Sequence, residues 1–494
     1  FNVLNGIPAT GNKYLQRDVL KGKWAFDGFV VTDWGSIDEM TSHGLAKDGK
    51  EAAKIAANAG SDMDMESHLY VKELAGLVRE GKVKESFIDD AVKRILKVKF
   101  ELGLFEDPYK YCDEVREKEV IGQQAFHEAA LDLAKKSIVL LKNENQLLPL
   151  KKQGQKIALI GALAADKNSP LGNWRIAAKD HSAVSVLEGM QAYKENKLTY
   201  AKGADVSVGY TAFTAQVQIN TTDKSEFPQA IEAAKSADVV VMVLGEIGYQ
   251  SGEGRSRTKL GLPGVQQELL EAVYKVNKNI VLVLNNGRPL VLNWHHEHLP
   301  AIVEAWQLGT QSGNAIAQVL YGDYNPSGKL PMSFPRAVGQ VPIYYNYKNT
   351  GRPTGAPGVF WSHYEDEENS PLYPFGYGLS YTSFEYNNLQ ATVVSAKEVR
   401  VSVTLKNSGK QTGKEVVQLY IRDHFASVTR PIRELKGFEL VSLVPNESQE
   451  VSFTLTEKEL GFYDNDGNFI LESGDFSIFV GGDSNANLQA EITL

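Results

Sequence analysis

Two carboxylates stand out in this 494-residue chain for where they fall. Asp33 comes just after a short apolar run, Phe29-Val30-Val31-Thr32, and is followed at once by Trp34. The run has the aromatic and β-branched make-up of a strand, and Asp33 sits where that pattern stops. In a barrel of parallel strands this end is the catalytic face, because the loops leaving strand C-termini build the site. A carboxylate there can attack or stabilise a cationic anomeric carbon, and an indole beside it can stack on a pyranose ring. Asp is equally a favoured helix N-cap, and residues 37–45 could be helical, so this stretch alone leaves both readings open.

The second carboxylate is Glu253. It lies in the loop Gly245-Glu246-Ile247-Gly248-Tyr249-Gln250-Ser251-Gly252-Glu253-Gly254-Arg255-Ser256-Arg257, directly after the apolar run 239–244. A glycine-rich loop after a strand could cradle phosphate, but no Gly-Lys-Ser/Thr follows. The remaining readings are a solvated surface loop or the second carboxyl group that sugar hydrolysis requires. Trp174, after the run 157–160, could pack between domains or wall a sugar stacked on Trp34. His295, His296 and His298 form a trio on a polar stretch. Metal ligation would need a fixed geometry, and a solvated turn is the preferred reading.

These residues need elements to hold them. Residues 1–106 alternate strand and helix signals: helices over 12–21, 50–59, 71–81 and 84–102, and strands at 29–31 and 60–65. The helix over 84–102 would place Phe87, Ala91, Ile95, Val98 and Leu102 on one face. Strand–helix repetition implies parallel strands joined by right-handed crossovers. Residues 107–156 are expected to be a linker with a connecting helix. A second α/β domain is expected over 157–341. Its buried parallel strands fall at 157–160, 239–244, 280–284 and 301–305, with helices over 227–235, 264–276 and 314–320 covering both faces. Ligands of such sheets bind at strand C-terminal ends. Residues 342–383, rich in Pro, Gly, Tyr and Asn, are expected to be a long ordered connecting loop. From 384 to 494 the pattern turns to period two, with strands at 401–405, 415–421, 434–440, 450–455 and 476–480, which suggests a β-sandwich.

Composition narrows the function classes. Apolar content of 43% and charged content of 23% belong to a soluble globular protein, and the length calls for several domains. A net charge of −9 argues against a nucleic-acid partner. No run of about 18 apolar residues suggests a membrane span. One cysteine excludes an internal disulfide without fixing a compartment.

Taken together, the motifs identify the chain as similar to glycoside hydrolase family 3, of the β-glucosidase and β-xylosidase type. They are Asn5-Gly6-Ile7-Pro8-Ala9-Thr10; Trp24-Ala25-Phe26-Asp27-Gly28 running into Phe29–Trp34; Leu140-Leu141-Lys142-Asn143 with Leu147-Leu148-Pro149-Leu150; and Ser251 to Arg257. Gly322-Asp323-Tyr324-Asn325-Pro326-Ser327-Gly328-Lys329-Leu330-Pro331, Tyr373-Pro374-Phe375-Gly376-Tyr377-Gly378-Leu379-Ser380-Tyr381 and Arg430-Pro431-Ile432-Arg433-Glu434-Leu435-Lys436-Gly437-Phe438 follow in the family's order. The resemblance implies the C-terminal part of a TIM-like (β/α)8 barrel, an α/β sandwich and a fibronectin III-like β-sandwich. It implies a retaining, exo-acting β-glucosidase with Asp33 as nucleophile and Glu253 as acid/base, their carboxyl groups about 5–5.5 Å apart. Trp34 and Trp174 resemble the aromatic pair at the leaving-group side, and Phe1 falls where some relatives line the sugar pocket. No cofactor or metal is implied. The partner is an oligosaccharide or glycoside, with no nucleic acid and no membrane, and the address implied is periplasmic or secreted.

The family's barrel normally precedes the nucleophile by well over a hundred residues, and here 32 do. The chain is therefore expected to be one piece of a longer or processed polypeptide, inactive alone. Candidate partners are a missing N-terminal barrel segment or second chain, and a homodimer mate. A β-xylosidase or α-arabinofuranosidase of the same family, or a non-catalytic sugar-binding relative, are the alternatives.

Overall fold

The computed structural model describes residues 1–355 and 358–494. The chain divides into two compact units, Phe1–Ile121 and Gly122–Leu494.

In the first unit the strand signal at 29–31 is realised minimally, as a parallel bridge between Val31 and Met63. The Thr32 N–H donates to the Met63 carbonyl and the Met63 N–H to the Val30 carbonyl. Helices Tyr14–Lys23, Gly49–Ala59, Leu69–Arg79 and Glu85–Glu101 surround this pair in sequence. Asp48 caps Gly49–Ala59 by accepting the Glu51 N–H at 2.8 Å, and Gly60 ends it at φ 110°, where only glycine is unstrained. The helix buries Ala52, Ala53, Ala56, Ala57 and Ala59. Small side chains on that face let Ile37, Met40, Leu69 and Leu77 pack close to it. Helix Glu85–Glu101 behaves differently: Phe87, Ala91, Ile95 and Val98 are half-buried, and none of its residues is fully covered. Within the stretch expected to be a linker, Glu114–Val120 is helical instead. Asp113 accepts the Val115 and Arg116 N–H groups at 3.0 Å, a local cap that needs no tertiary partner.

The second unit opens with a six-stranded sheet in the order Val139–Asn143, Ala301–Glu304, Ile280–Asn285, Val239–Gly245, Lys156–Ile160, Lys197–Ala201. All neighbours are parallel except the first pair. Alternation explains the two cores. Ile157, Leu159, Val241 and Val243 point to one face, against Val186, Met190 and Ile316. Ala158, Ile160, Val240, Met242 and Leu244 point to the other, against Ala230, Leu269, Leu270 and Val273. Strands buried on both faces must be apolar at every position, as these are. Val139–Asn143, expected within the connecting segment, is a full member of the sheet, and its antiparallel edge pairing buries Leu140 and Leu141.

From Phe384 two antiparallel sheets pack face to face. One holds Phe384–Ser395, Glu398–Asn407 and Ser448–Thr456; the other Glu434–Leu443, Gly413–Asp423, Asp475–Gly481 and Leu488–Thr493. Val399, Val401, Val403 and Leu405 face Val417, Leu419 and Ile421 in the core. The connection over 342–383 has no helix or regular strand among its described residues. It is strapped down by single bridges such as Phe334–Tyr373 and Lys348–Pro431. Lys329 ties the α/β domain to the sandwich through the buried Glu415 at 3.0 Å. Among the described residues no helix is long and apolar enough to cross a membrane.

Candidate active site

Asp33 leaves the C-terminal end of the parallel pair. Its carboxylate is exposed and accepts the Trp34 N–H at 2.6 Å. The next helix, Glu39–Ser42, starts at Asp38, five residues on, so the Asp33 side chain is not used as a cap. Two devices hold the backbone beneath it. The Met65 N–H donates to Thr32 Oγ1 at 3.0 Å, and the Gly35 N–H donates to the Met65 carbonyl. Deeper in, buried Asp62 takes Lys21 Nζ at 2.6 and 2.7 Å on its two oxygens, and the Val30 N–H at 2.8 Å. Lys21 also donates to the Gly60 carbonyl at 2.8 Å. Trp34 stands 65% exposed and Phe1 41% exposed in the same unit.

Glu253 and Trp174 belong to the second unit, and sheet topology explains their loops. Lys156–Ile160 is the first parallel strand. The next, Lys197–Ala201, lies on one side of it, and the third, Val239–Gly245, on the other. The winding therefore reverses between the first and third strands. At such a point the two loops at the strand C-termini diverge and leave a crevice. Trp174 is on the loop after Ile160 and Glu253 on the loop after Gly245. The loops abut: a Cβ on Gly252 would lie 2.7 Å from Asn173 Cγ. Glu253 is exposed, and Trp174 is 65% exposed with its ring 4.9 Å from Phe213. Phe213, which sequence reasoning passed over, enters because Arg255 Nη2 donates to the Phe213 and Ala215 carbonyls at 2.7 and 3.0 Å. Its only signal in the sequence was an aromatic residue inside a polar stretch.

The loop's fixed charges are buried below Glu253. Glu246 is fully covered and receives Arg257 Nη1 at 2.5 Å and Arg288 Nε at 3.1 Å. Glu304, at the end of Ala301–Glu304, two strands along the sheet from Val239–Gly245, is also fully covered. It accepts the Trp306 N–H at 2.9 Å and Asn286 Nδ2 at 3.3 Å. Burial pushes the Glu304 carboxyl well above its usual range, with the Glu246 charge adding to the effect. The histidine trio is not a solvated turn. It forms the short helix Asn293–His298, with His295 buried, His296 paired with the Tyr373 hydroxyl at 2.8 Å and His298 stacked on Trp294. Trp294 packs against the apolar core and Lys142 Nζ donates to the His296 carbonyl, contacts that the local polarity of this stretch could not reveal.

Comparison with known proteins agrees with this architecture. Residues 1–98 match the Glycosyl hydrolase family 3 N terminal domain, residues 138–381 the Glycosyl hydrolase family 3 C-terminal domain, and residues 415–484 the Fibronectin type III-like domain. A solved β-glucosidase from Listeria innocua, in complex with isofagomine, superposes with a TM-score of 0.91 at 38% identity, covering 100% of this chain and 67% of that one. The chain belongs to glycoside hydrolase family 3. Its first unit holds part of the family's barrel domain, and its second holds the α/β and fibronectin III-like domains. This family 3 chain is 42% identical to a periplasmic β-glucosidase of Salmonella typhimurium, over 98% of its own length and 65% of the relative's. It is 39% identical to a β-xylosidase of Formosa agariphila, over 98% and 66%. It thus spans about two thirds of the length of these curated relatives.

Proposed function

We propose that this chain carries both carboxyl groups of a retaining, exo-acting β-glucosidase. The observation that supports this most is the placement of Glu253: exposed, beside Trp174, on a rigidly anchored loop at the reversal point of the sheet. Asp33, exposed at the end of a parallel strand beside Trp34, supplies the second carboxyl group. In this reading Asp33 attacks the anomeric carbon while Glu253 protonates the leaving oxygen. Water then hydrolyses the glycosyl-enzyme with Glu253 as base, which requires the two groups about 5–5.5 Å apart. In this reading Glu253 gives its proton to the leaving oxygen as the bond breaks and takes one back from the attacking water. Trp34, Trp174 and Phe1 supply aromatic faces for sugar rings. The names of the Salmonella and Listeria relatives support a β-glucoside as substrate, and the former supports a periplasmic address. The similarly related Formosa β-xylosidase favours one second reading, a β-xyloside.

The test is covalent trapping in the full-length polypeptide that carries this chain, with 2-deoxy-2-fluoro-β-glucosyl and β-xylosyl fluorides followed by peptide mapping. A label on the peptide containing Asp33, lost in Asp33→Asn together with turnover, is the expected result. The faster-reacting sugar decides between the two substrates. A label elsewhere, or sugar binding with no label and no turnover, overturns the reading.

A further inference from the structure

The segment carrying Glu253 is soft by sequence. Between Gln250 and Arg255 it contains Gly252 at φ 108° and Gly254 at φ 66°, and neither Glu253 nor its glycine neighbours is buried. Left alone, such a segment would sample many conformations. One side chain closes it. Arg288 Nη2 donates to the carbonyls of both Gln250 and Arg255, the latter at 2.9 Å. These residues bracket the four that include Glu253.

Arg288 is itself held from two sides. Its Nε lies 3.1 Å from Glu246 Oε1 and 3.2 Å from Oε2, and that carboxylate is fully covered. Behind it, Asn286 Nδ2 donates to the Arg288 carbonyl at 2.6 Å and to Glu304 Oε2 at 3.3 Å. The turn between them presses on the loop, since a Cβ on Gly287 would lie 2.2 Å from Ser251 Oγ. A chain of hydrogen bonds thus runs from buried Glu304 through Asn286 and Arg288 to both ends of the Glu253 segment.

We infer that Arg288 is a positioning residue for Glu253, fixing both ends of its segment with one planar guanidinium that Glu246 orients. This rests on the reading of Glu253 as the acid/base. Arginine is needed because three acceptors in two directions are met by one rigid fork; a lysine ammonium could reach the carboxylate or the carbonyls, but not hold both in register. Arg257 and Arg255 do other work, pairing with Glu246 and with the Phe213 loop.

The role predicts a chemical signature that mere destabilisation lacks. A misplaced acid slows substrates whose leaving group needs a proton and spares those whose leaving group departs as an anion. The experiment measures kcat/KM for a series of aryl and alkyl β-glucosides on the full-length polypeptide, comparing wild type, Arg288→Lys, Arg288→Gln and Glu253→Gln. Both Arg288 variants are expected to lose about 100-fold more on the poorest leaving group than on 2,4-dinitrophenyl glucoside, within the usual contribution of a general acid. Glu253→Gln should show the same trend more steeply. Hydrogen exchange should rise in peptides spanning 250–257 and not across the sheet. If Arg288→Gln does not fold, the charge-preserving Arg288→Lys carries the test. An equal loss on every substrate, or no loss, overturns the positioning role. If Glu253→Gln itself shows no leaving-group dependence, it is the acid/base reading that fails.

Discussion

Asp62 provides the sharpest test of what holds the strand end that presents Asp33. Its carboxylate is 3% exposed and satisfies the Lys21 ammonium, 7% exposed, and the Val30 N–H. Asp62→Ala removes both interactions at once. Breaking one side of a buried ion pair costs about 3–5 kcal/mol. Lys21 retains the Gly60 carbonyl, and burial already holds its ammonium below the usual lysine range, so it can shed its proton; the lower figure applies. The orphaned Val30 N–H adds about 1 kcal/mol, for a total near 4 kcal/mol. The double variant Lys21→Met, Asp62→Leu removes both charges together. It leaves only the Val30 N–H and Gly60 carbonyl unmet, at about 2 kcal/mol. Hydrogen exchange read by mass spectrometry reports this locally, in peptides covering 17–32 and 57–65. With tenfold in rate for every 1.4 kcal/mol, protection should fall about 1,000-fold in the single variant and about 30-fold in the double. A double variant as weak as the single, or a single variant less than about fivefold changed, refutes the argument that this pair holds the strand.

His295 predicts a pH dependence. Its buried ring nitrogens have no hydrogen-bond partner among the described residues, and burial lowers its pKa to about 4. The unfolded chain therefore binds the extra proton first, so the stability is present above about pH 6.5 and is lost as pH falls towards 4. The loss amounts to about 3 kcal/mol. Guanidinium titrations at pH 7 and 4.5 should show it, and His295→Leu should flatten it. Gly313 tests helix packing: a Cβ there would sit 1.9 Å from the Ser185 carbonyl oxygen, and backbone cannot step aside. Gly313→Ala should cost about 3 kcal/mol, read as a lower urea midpoint with an unchanged slope.

Much of this protein was legible in its sequence. The runs 157–160, 239–244 and 280–284 are apolar at every position, and 301–305 at every position but Glu304; only strands covered on both sides need that. Helix Gly49–Ala59 carried its own boundaries, Asp48 and Gly60, because caps are made by neighbours in the chain. The family motifs pointed to glycoside hydrolase family 3, and the family models match its N-terminal, C-terminal and fibronectin III-like domains in this chain. Val139–Asn143 was harder. Val-Leu-Leu could lie in any buried strand, and only pairing with Ala301–Glu304, some 160 residues away, assigns it to this sheet.

The candidate site divides along the same line. Sequence determined the residue types: carboxylates at 33 and 253, indoles at 34 and 174, glycines that let the second loop turn. Local chemistry dictates these, and a motif preserves them in order. Only the tertiary structure decided that Asp33 is not a helix cap, that Phe213 stands beside Trp174, that His295 is buried, and that Arg288 brackets Glu253. Each of these depends on contacts between residues far apart in the chain, whose partners are chosen by packing and desolvation across the whole fold rather than by spacing along it.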